Sequence, residues 1–445
     1  MLQAALRAWS IADLRRKILF TLGILFIYRV IAHVPVPHVD PSGIGNVINQ
    51  NTLLGILNLF SGGALQNMSV AALGVYPYIT ASIIVNLLQP LIPALQEMAK
   101  EGESGRNRIN RLSYYLAVPL ALLQGYGQTV QFNNATQNAL FGDFVFSITQ
   151  NFLPTFTILL TMTAGTMILI WMAELIDEKG IGNGISMIIF GGIVANLFST
   201  IAGVFQGGAL ASSFFGYAAV LAISLLTLYF IVYMQEGVRR IPVEYQRRVR
   251  GNKVYGGQRT HIPLKVNTAG MIPLIFAQSL LILPGIIASY GCVGNEANVS
   301  TSIGARISCA VYNTFNPTAV TGNFVYVALL FLLVVAFTYF YTMVMFTQQN
   351  LPESLKNNGG FIPGIRPGRA TESYLSRVIN RITLAGALFL GLIAVLPYIT
   401  AGITGVANVA LSSTALLIVV GVAVDTMRQL ESQMMMRDYE GFLDR

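Results

Sequence analysis

Nearly all of the positive charge in this chain sits in alternate gaps between long apolar segments, and that pattern constrains the fold more than any other feature. Ten apolar segments lie near 18–36, 75–93, 112–131, 151–174, 184–205, 214–235, 268–290, 324–346, 382–400 and 409–427. Each is close to the roughly 20 residues that a helix needs to cross a bilayer. Arg7, Arg15, Arg16 and Lys17 precede the first segment, and the next gap holds no basic residue. Lys100, Arg106, Arg108 and Arg111 follow the second, while the third gap is bare and Lys179 occupies the fourth. The alternation continues to the tail, so 25 of the 27 Lys and Arg residues fall on one side; only Arg29, inside a segment, and Arg306, opposite, depart from it. The positive-inside bias then puts both termini in the cytoplasm. The expected fold is all-α and polytopic, with ten transmembrane helices.

Composition points the same way. Charged residues make up 10% of the chain, against about 25% in an average soluble domain, too few to coat a globule of this length. The first segment has no small-residue cleavage site after it, so it is expected to remain as a helix. Five segments precede residue 207 and five follow. Because five is odd, the halves 1–206 and 207–445 enter the membrane from opposite sides, the topology of an inverted repeat with its working site at the interface. No cofactor or metal site is legible. His33, His38 and His261 are the only histidines, and neither a His-Glu-x-x-His pair nor a phosphate-binding G-x-x-x-x-G-K-[ST] loop occurs. An enzyme is therefore not expected, and any energy source must be a partner. A secondary transporter of small solutes is the alternative reading, although Glu174 and Asp425 lie at cytoplasmic span ends rather than at the midplane where coupling acids belong.

Residues 52–72 break the pattern. Leu53 to Phe60 is too short to span and is stopped by Gly62 and Gly63, so it reads as a re-entrant helix facing a cavity on the outer side; an amphipathic helix on the outer surface is the alternative. Cys292 and Cys309 are the only cysteines. Both fall in the outer seventh gap, where a disulfide would close a loop of about 17 residues and contribute roughly 3 kcal/mol if unstrained. Arg29, near the outer end of the first segment, reads as a snorkelling or structural residue. The sixth gap carries eight basic residues against Glu236 and Glu244, with Gly251, Gly256 and Gly257 as turn formers. Its length suggests a projecting hairpin.

Five motifs, in order along essentially the whole chain, resemble the SecY family of protein-conducting channels: Asn58-Leu-Phe-Ser-Gly-Gly-Ala-Leu65, Gly74-Val-Tyr-Pro-Tyr-Ile-Thr-Ala-Ser-Ile-Ile84, Lys100-Glu-Gly-Glu-Ser-Gly-Arg106, Gly180-Ile-Gly-Asn-Gly-Ile-Ser186 and Gly360-Phe-Ile-Pro-Gly-Ile-Arg-Pro-Gly368. The resemblance implies a central pore between two five-helix halves, translocating unfolded preproteins and releasing apolar segments sideways into the membrane. It implies a pore ring of Val75, Ile79, Ile189, Ile193, Ile275 and Ile418, with Val75 where isoleucine is common. A plug over about 52–72 is implied too, with Phe60 near its middle and Gly62 and Gly63 as its hinge. A lateral gate would run between the second and third helices and the seventh and eighth, with Thr80, Ser82, Asn86, Gln124, Asn267 and Gln278 able to bond across it; Pro119, Pro273 and Pro284 can bend these helices.

The same resemblance makes loops 236–266 and 347–381 the docking sites for the SecA motor ATPase or the ribosome, including its RNA. Arg247, Arg248, Arg250, Lys253 and Arg366 would make the contact, and Asn252 stands where a basic residue is frequent. Partners implied are SecE, SecG, signal-bearing preproteins and membrane lipid. The location implied is a bacterial plasma membrane or a thylakoid membrane.

Overall fold

The computed structural model describes residues 9, 11–39, 44, 58, 61–135, 151–206, 214–245, 248–250, 253–255, 259–292, 303–315, 324–349, 351–357, 359–404 and 412–443. A helix stands at each of the ten expected positions: α1 (Ala12–Ile31), α2 (Tyr76–Leu88), α4 (Glu103–Ala135), α5 (Phe152–Lys179), α6 (Gly184–Gln206), α7 (Phe214–Glu236), α8 (Ile272–Cys292), α10 (Phe324–Gln349), α12 (Arg369–Thr404) and α13 (Ser412–Leu443). Three shorter helices lie between them: α3 (Pro93–Lys100), α9 (Ile303–Phe315) and α11 (Leu351–Asn357). Among the described residues, α5, α12 and the stretch Phe324–Asn357 are each long and apolar enough to cross a membrane by themselves, and α2 with α3 qualifies as a bent pair. These apolar helices make the protein an integral, multi-pass membrane protein.

Several boundaries differ from the sequence reading, each for a local reason. The second segment was expected to run to residue 93, but α2 ends at Leu88 and the chain turns by 104° before α3. Pro90 and Pro93 cause this, since each lacks a backbone donor and disfavours helical backbone before it. In contrast α4, α12 and α13 overrun their apolar segments at the ends expected to face the cytoplasm, where exposed polar residues extend the helix into water.

Most of the core is one large cluster that runs through α1, α2, α5, α6, α8, α10, α12 and α13. Large side chains on the outer faces stay uncovered: Phe26, Trp171, Leu225, Tyr229, Leu332 and Phe324 are all exposed. Continuous exposed apolar surface on this scale suits hydrocarbon, not water. The five helices before residue 207 meet the five after it mainly along two lines, α2 and α4 against α8, and α6 against α13.

The sixth gap is not helical. β1 (Val238–Tyr245) pairs antiparallel with β4 (Arg259–Lys265), from Val238 opposite Lys265 to Glu244 opposite Arg259. β2 (Arg248–Arg250) and β3 (Lys253–Tyr255) form a smaller ladder at the tip. This is the projecting hairpin expected from the glycines. What the sequence did not indicate is β5 (Gly360–Phe361), which comes from the eighth gap and adds to the free edge of β1 through Glu244 and Tyr245. Ile241 and Val243 alternate inward along β1, as the two-residue period of a strand requires. They pack with Leu355, Ile362 and Leu375 in a separate small core, so the two loops form one unit.

Candidate functional site

The six aliphatic residues expected to form a ring come first. Val75 is the N-cap of α2 and Ile79 lies one turn on. Ile189 and Ile193 are a turn apart on α6, Ile275 is in the first turn of α8, and Ile418 is in α13. All six are buried, at 0–6% exposure. They belong to the same central cluster and come from helices of both halves. Aliphatic side chains gathered this way offer no fixed hydrogen bonds to anything between them, and an apolar constriction sheds water when empty.

The glycine pair follows. Gly62 and Gly63 have φ of +63° and +83°, the left-handed region that glycine enters without penalty. They also admit no side chain. A Cβ on Gly62 would run into the Tyr28 hydroxyl and the Gly192 backbone, and one on Gly63 into the Asn196 amide. The turn is clamped from α1, because the Tyr28 hydroxyl donates to the Ser61 carbonyl at 2.8 Å and Arg29 Nη1 donates to the Gly62 carbonyl at 2.7 Å. The structural role that the sequence suggests for Arg29, snorkelling or pairing with a polar partner, takes the form of this grip on the turn. From Ser61 to Val75 the backbone makes successive turns, anchored by a bridge between Ser69 and Pro35. Phe60 and most of the expected re-entrant helix lie outside the described residues.

At the seam of α2 and α4 with α8, the expected polar residues are mostly buried: Thr80, Gln124, Asn267 and Gln278 are each under 9% exposed, while Ser82 and Asn86 are half-buried. Gln124 Nε2 donates to Thr80 Oγ1 at 3.3 Å, joining α4 to α2. Asn86 Nδ2 donates to Ser82 Oγ within α2, and Asn267 Nδ2 to the nearby Gly270 carbonyl. The bond that crosses from α2 to α8 is made by Tyr76, whose hydroxyl donates to the Ser279 carbonyl at 3.0 Å. Tyrosine in an apolar motif reads as packing, so nothing in the sequence singled it out.

On the opposite line, the glycine-rich motif 180–186 joins α6 to α13. Gly182 takes φ +91° and donates its amide to Gln429 Oε1 at 2.8 Å. Asp177 Oδ1 accepts from the Gly184 amide, and Asn183 Oδ1 from that of Ser186, satisfying donors at the start of α6 that the helix itself leaves open. In the sequence this motif carries no role beyond resemblance. It is a cap and a strap between the halves.

Of the basic loop residues, Arg248 and Arg250 fall in β2 and Lys253 in β3, whereas Arg247 lies outside the described residues. Arg366 is exposed beside β5, with its carbonyl accepting from Thr371. The pairing of β5 with β1 brings the backbones of the two loops together. In the outer gap, Cys309 on α9 is disulfide-bonded. No group of three or more His, Cys, Asp or Glu suited to a metal occurs among the described residues.

Apolar helices packed around one aliphatic cluster, with a clamped glycine turn beside it, are the architecture of a polytopic membrane protein. Comparison with known proteins agrees. The SecY family model matches residues 69–427. The protein translocase subunit SecY of Streptomyces scabiei is 42% identical over 454 residues, covering all of both chains. Among solved structures, a SecY whose plug domain is described as stabilising the closed state of its channel superposes with a TM-score of 0.64 at 18% identity, covering 94% of this chain and 92% of its own. Sec61 from a canine ribosome-channel complex of the endoplasmic reticulum superposes at 0.57 and 16%, with the same coverage. The chain belongs to the SecY family of protein-conducting channels.

Proposed function

We propose that this chain is the pore-forming subunit through which unfolded preproteins cross a bacterial membrane, built from ten spans in two inverted halves, 1–206 and 207–445, with both termini in the cytoplasm. The observation that carries this reading is the gathering of Val75, Ile79, Ile189, Ile193, Ile275 and Ile418 from four helices into one buried cluster. Flexible aliphatic side chains seal around nothing and yield to a passenger of any size or charge. The segment ending at Gly62 and Gly63 acts as the plug. Thr80, Ser82, Asn86, Gln124, Asn267 and Gln278 line the lateral gate, where an apolar signal segment leaves for the lipid. Loops 236–266 and 347–381, joined by the β1–β5 pairing, receive SecA or the ribosome through Arg247, Arg248, Arg250, Lys253 and Arg366. SecE and SecG complete the complex. Cys292 is the partner of Cys309, since the chain holds no other cysteine.

Transport of small solutes coupled to ions finds no support in the family comparison. The test is crosslinking: photoreactive groups at Ile79 and Ile275 should capture a signal-bearing preprotein arrested in transit. Capture only at lipid-facing positions such as Leu225 would overturn the assignment.

A further inference from the structure

We propose that Tyr76 is the latch of the seam, a tyrosine from the first half whose hydroxyl, seated in the second half, sets how apolar a signal segment must be to part the gate. This rests on the lateral-gate reading above and adds to it the residue that holds the seam shut. Among the seam's polar side chains, Tyr76 provides the hydrogen bond seen to pass directly from α2 to α8. Its ring is buried, at 3% exposure. It also lies close to Tyr326 of α10, which stacks edge-on against Tyr398 of α12 with ring centroids 5.7 Å apart. Tyr76 therefore reaches from α2 to α8 and α10, with α12 packed behind Tyr326.

The acceptor is placed for this role. Pro284 lacks the amide that would bond the Leu280 carbonyl, so the ladder of α8 is interrupted one residue beyond Ser279. Carbonyls beside such a break tilt from the helix axis, and each has a second lone pair to offer. Ile275, a ring residue, lies one turn before Ser279, and Val75, another, directly precedes Tyr76. Separating α2 from α8 must break the ring contact and the latch together.

The neighbouring polar groups bias the same motion. Among the described residues, Gln124 Oε1 and Gln128 Oε1 are buried without hydrogen-bond partners. Buried polar atoms of this kind raise the free energy of the closed seam. The latch opposes them, so the closed state is held by a small margin that an apolar helix entering the seam can exceed.

Removing the hydroxyl tests this. Side-chain hydrogen bonds between membrane helices are worth about 0.6–1.7 kcal/mol, so Tyr76→Phe should raise the open population about 3- to 18-fold. In the complete reconstituted translocase, Tyr76→Phe should increase resting ion conductance by that factor and export preproteins whose signals carry fewer leucines than the unaltered channel accepts. Tyr78→Phe, which removes the hydroxyl from a ring stacked on Tyr114 within the first half, should do neither. An unchanged signal threshold with Tyr76→Phe, while signal segments still crosslink to Thr80 and Gln278, would overturn the latch and leave the gate reading intact. Loss of those crosslinks in the unaltered channel would instead remove the gate reading itself. Should Tyr76→Phe alter assembly, Tyr76→Met is the second variant, and the same lowered threshold is expected from it.

Discussion

Gly62→Ala should unseat the segment proposed as the plug, and the size of the effect follows from the turn that Gly62 occupies. At φ +63° an alanine carries the left-handed penalty of about 1–2 kcal/mol. The added methyl also overlaps the Gly192 backbone, which cannot swing aside as a side chain can, and overpacking of this kind costs about 1–3 kcal/mol. It displaces the Tyr28 hydroxyl as well, forfeiting a bond to Ser61 worth about 0.5–1.5 kcal/mol. Together these amount to about 2.5–6.5 kcal/mol against the seated turn, or roughly a 60- to 40,000-fold shift toward displacement at 1.4 kcal/mol per factor of ten. Two further variants calibrate the figure. Tyr28→Phe removes only the hydrogen bond, so its shift should be about 2- to 13-fold. Gly270→Ala imposes the backbone penalty at φ +64° where nothing lies within 4 Å, so it should leave the channel closed. The assay is single-channel conductance of the resting complex in planar bilayers. Gly62→Ala channels as tight as the unaltered protein, or Gly270→Ala channels equally leaky, would refute the clamp.

Three other outcomes are expected. Replacing Arg247, Arg248 and Arg366 with Glu should weaken coupling to the motor ATPase or ribosome while the protein remains folded, as read from stimulated ATP hydrolysis and ribosome co-sedimentation; normal export would leave those charges with topology alone. Leu355→Ala removes a buried side chain from the small cytoplasmic core and should cost that unit about 2–5 kcal/mol, read as faster proteolytic nicking within 246–258 and unchanged cleavage elsewhere. Mass mapping of membranes prepared without reductant should recover a peptide joining Cys292 to Cys309, and recovery of two free thiols would remove the pairing.

The fold was legible where physics is periodic. Apolar length and charge alternation located all ten helices, because the bilayer imposes both on any chain that crosses it. The end of α2 was missed although Pro90 and Pro93 announce it; the apolar run was read for hydropathy, and the prolines were not weighed against it. The hairpin of the sixth gap followed from its glycines. Its union with β5 did not, because Gly360 and Phe361 carry no strand signal and pair only through the partner that β1 supplies. The ring residues were placed by motif resemblance, since an isoleucine on a membrane helix is chemically the same whether it faces lipid, a neighbour or a pore.

Apolar length and charge patterning by themselves located the helices and the alternation of basic and bare gaps, for these depend on composition along one dimension. Tertiary structure alone decided which groups remote in the chain meet. Tyr76 became a bond between halves only because α8 delivers the Ser279 carbonyl to it, 203 residues away. Arg29 became a clamp only because the glycine turn folds back 33 residues to meet it. Such contacts join groups remote in the chain, and their energy depends on distances of about 3 Å that no local pattern encodes.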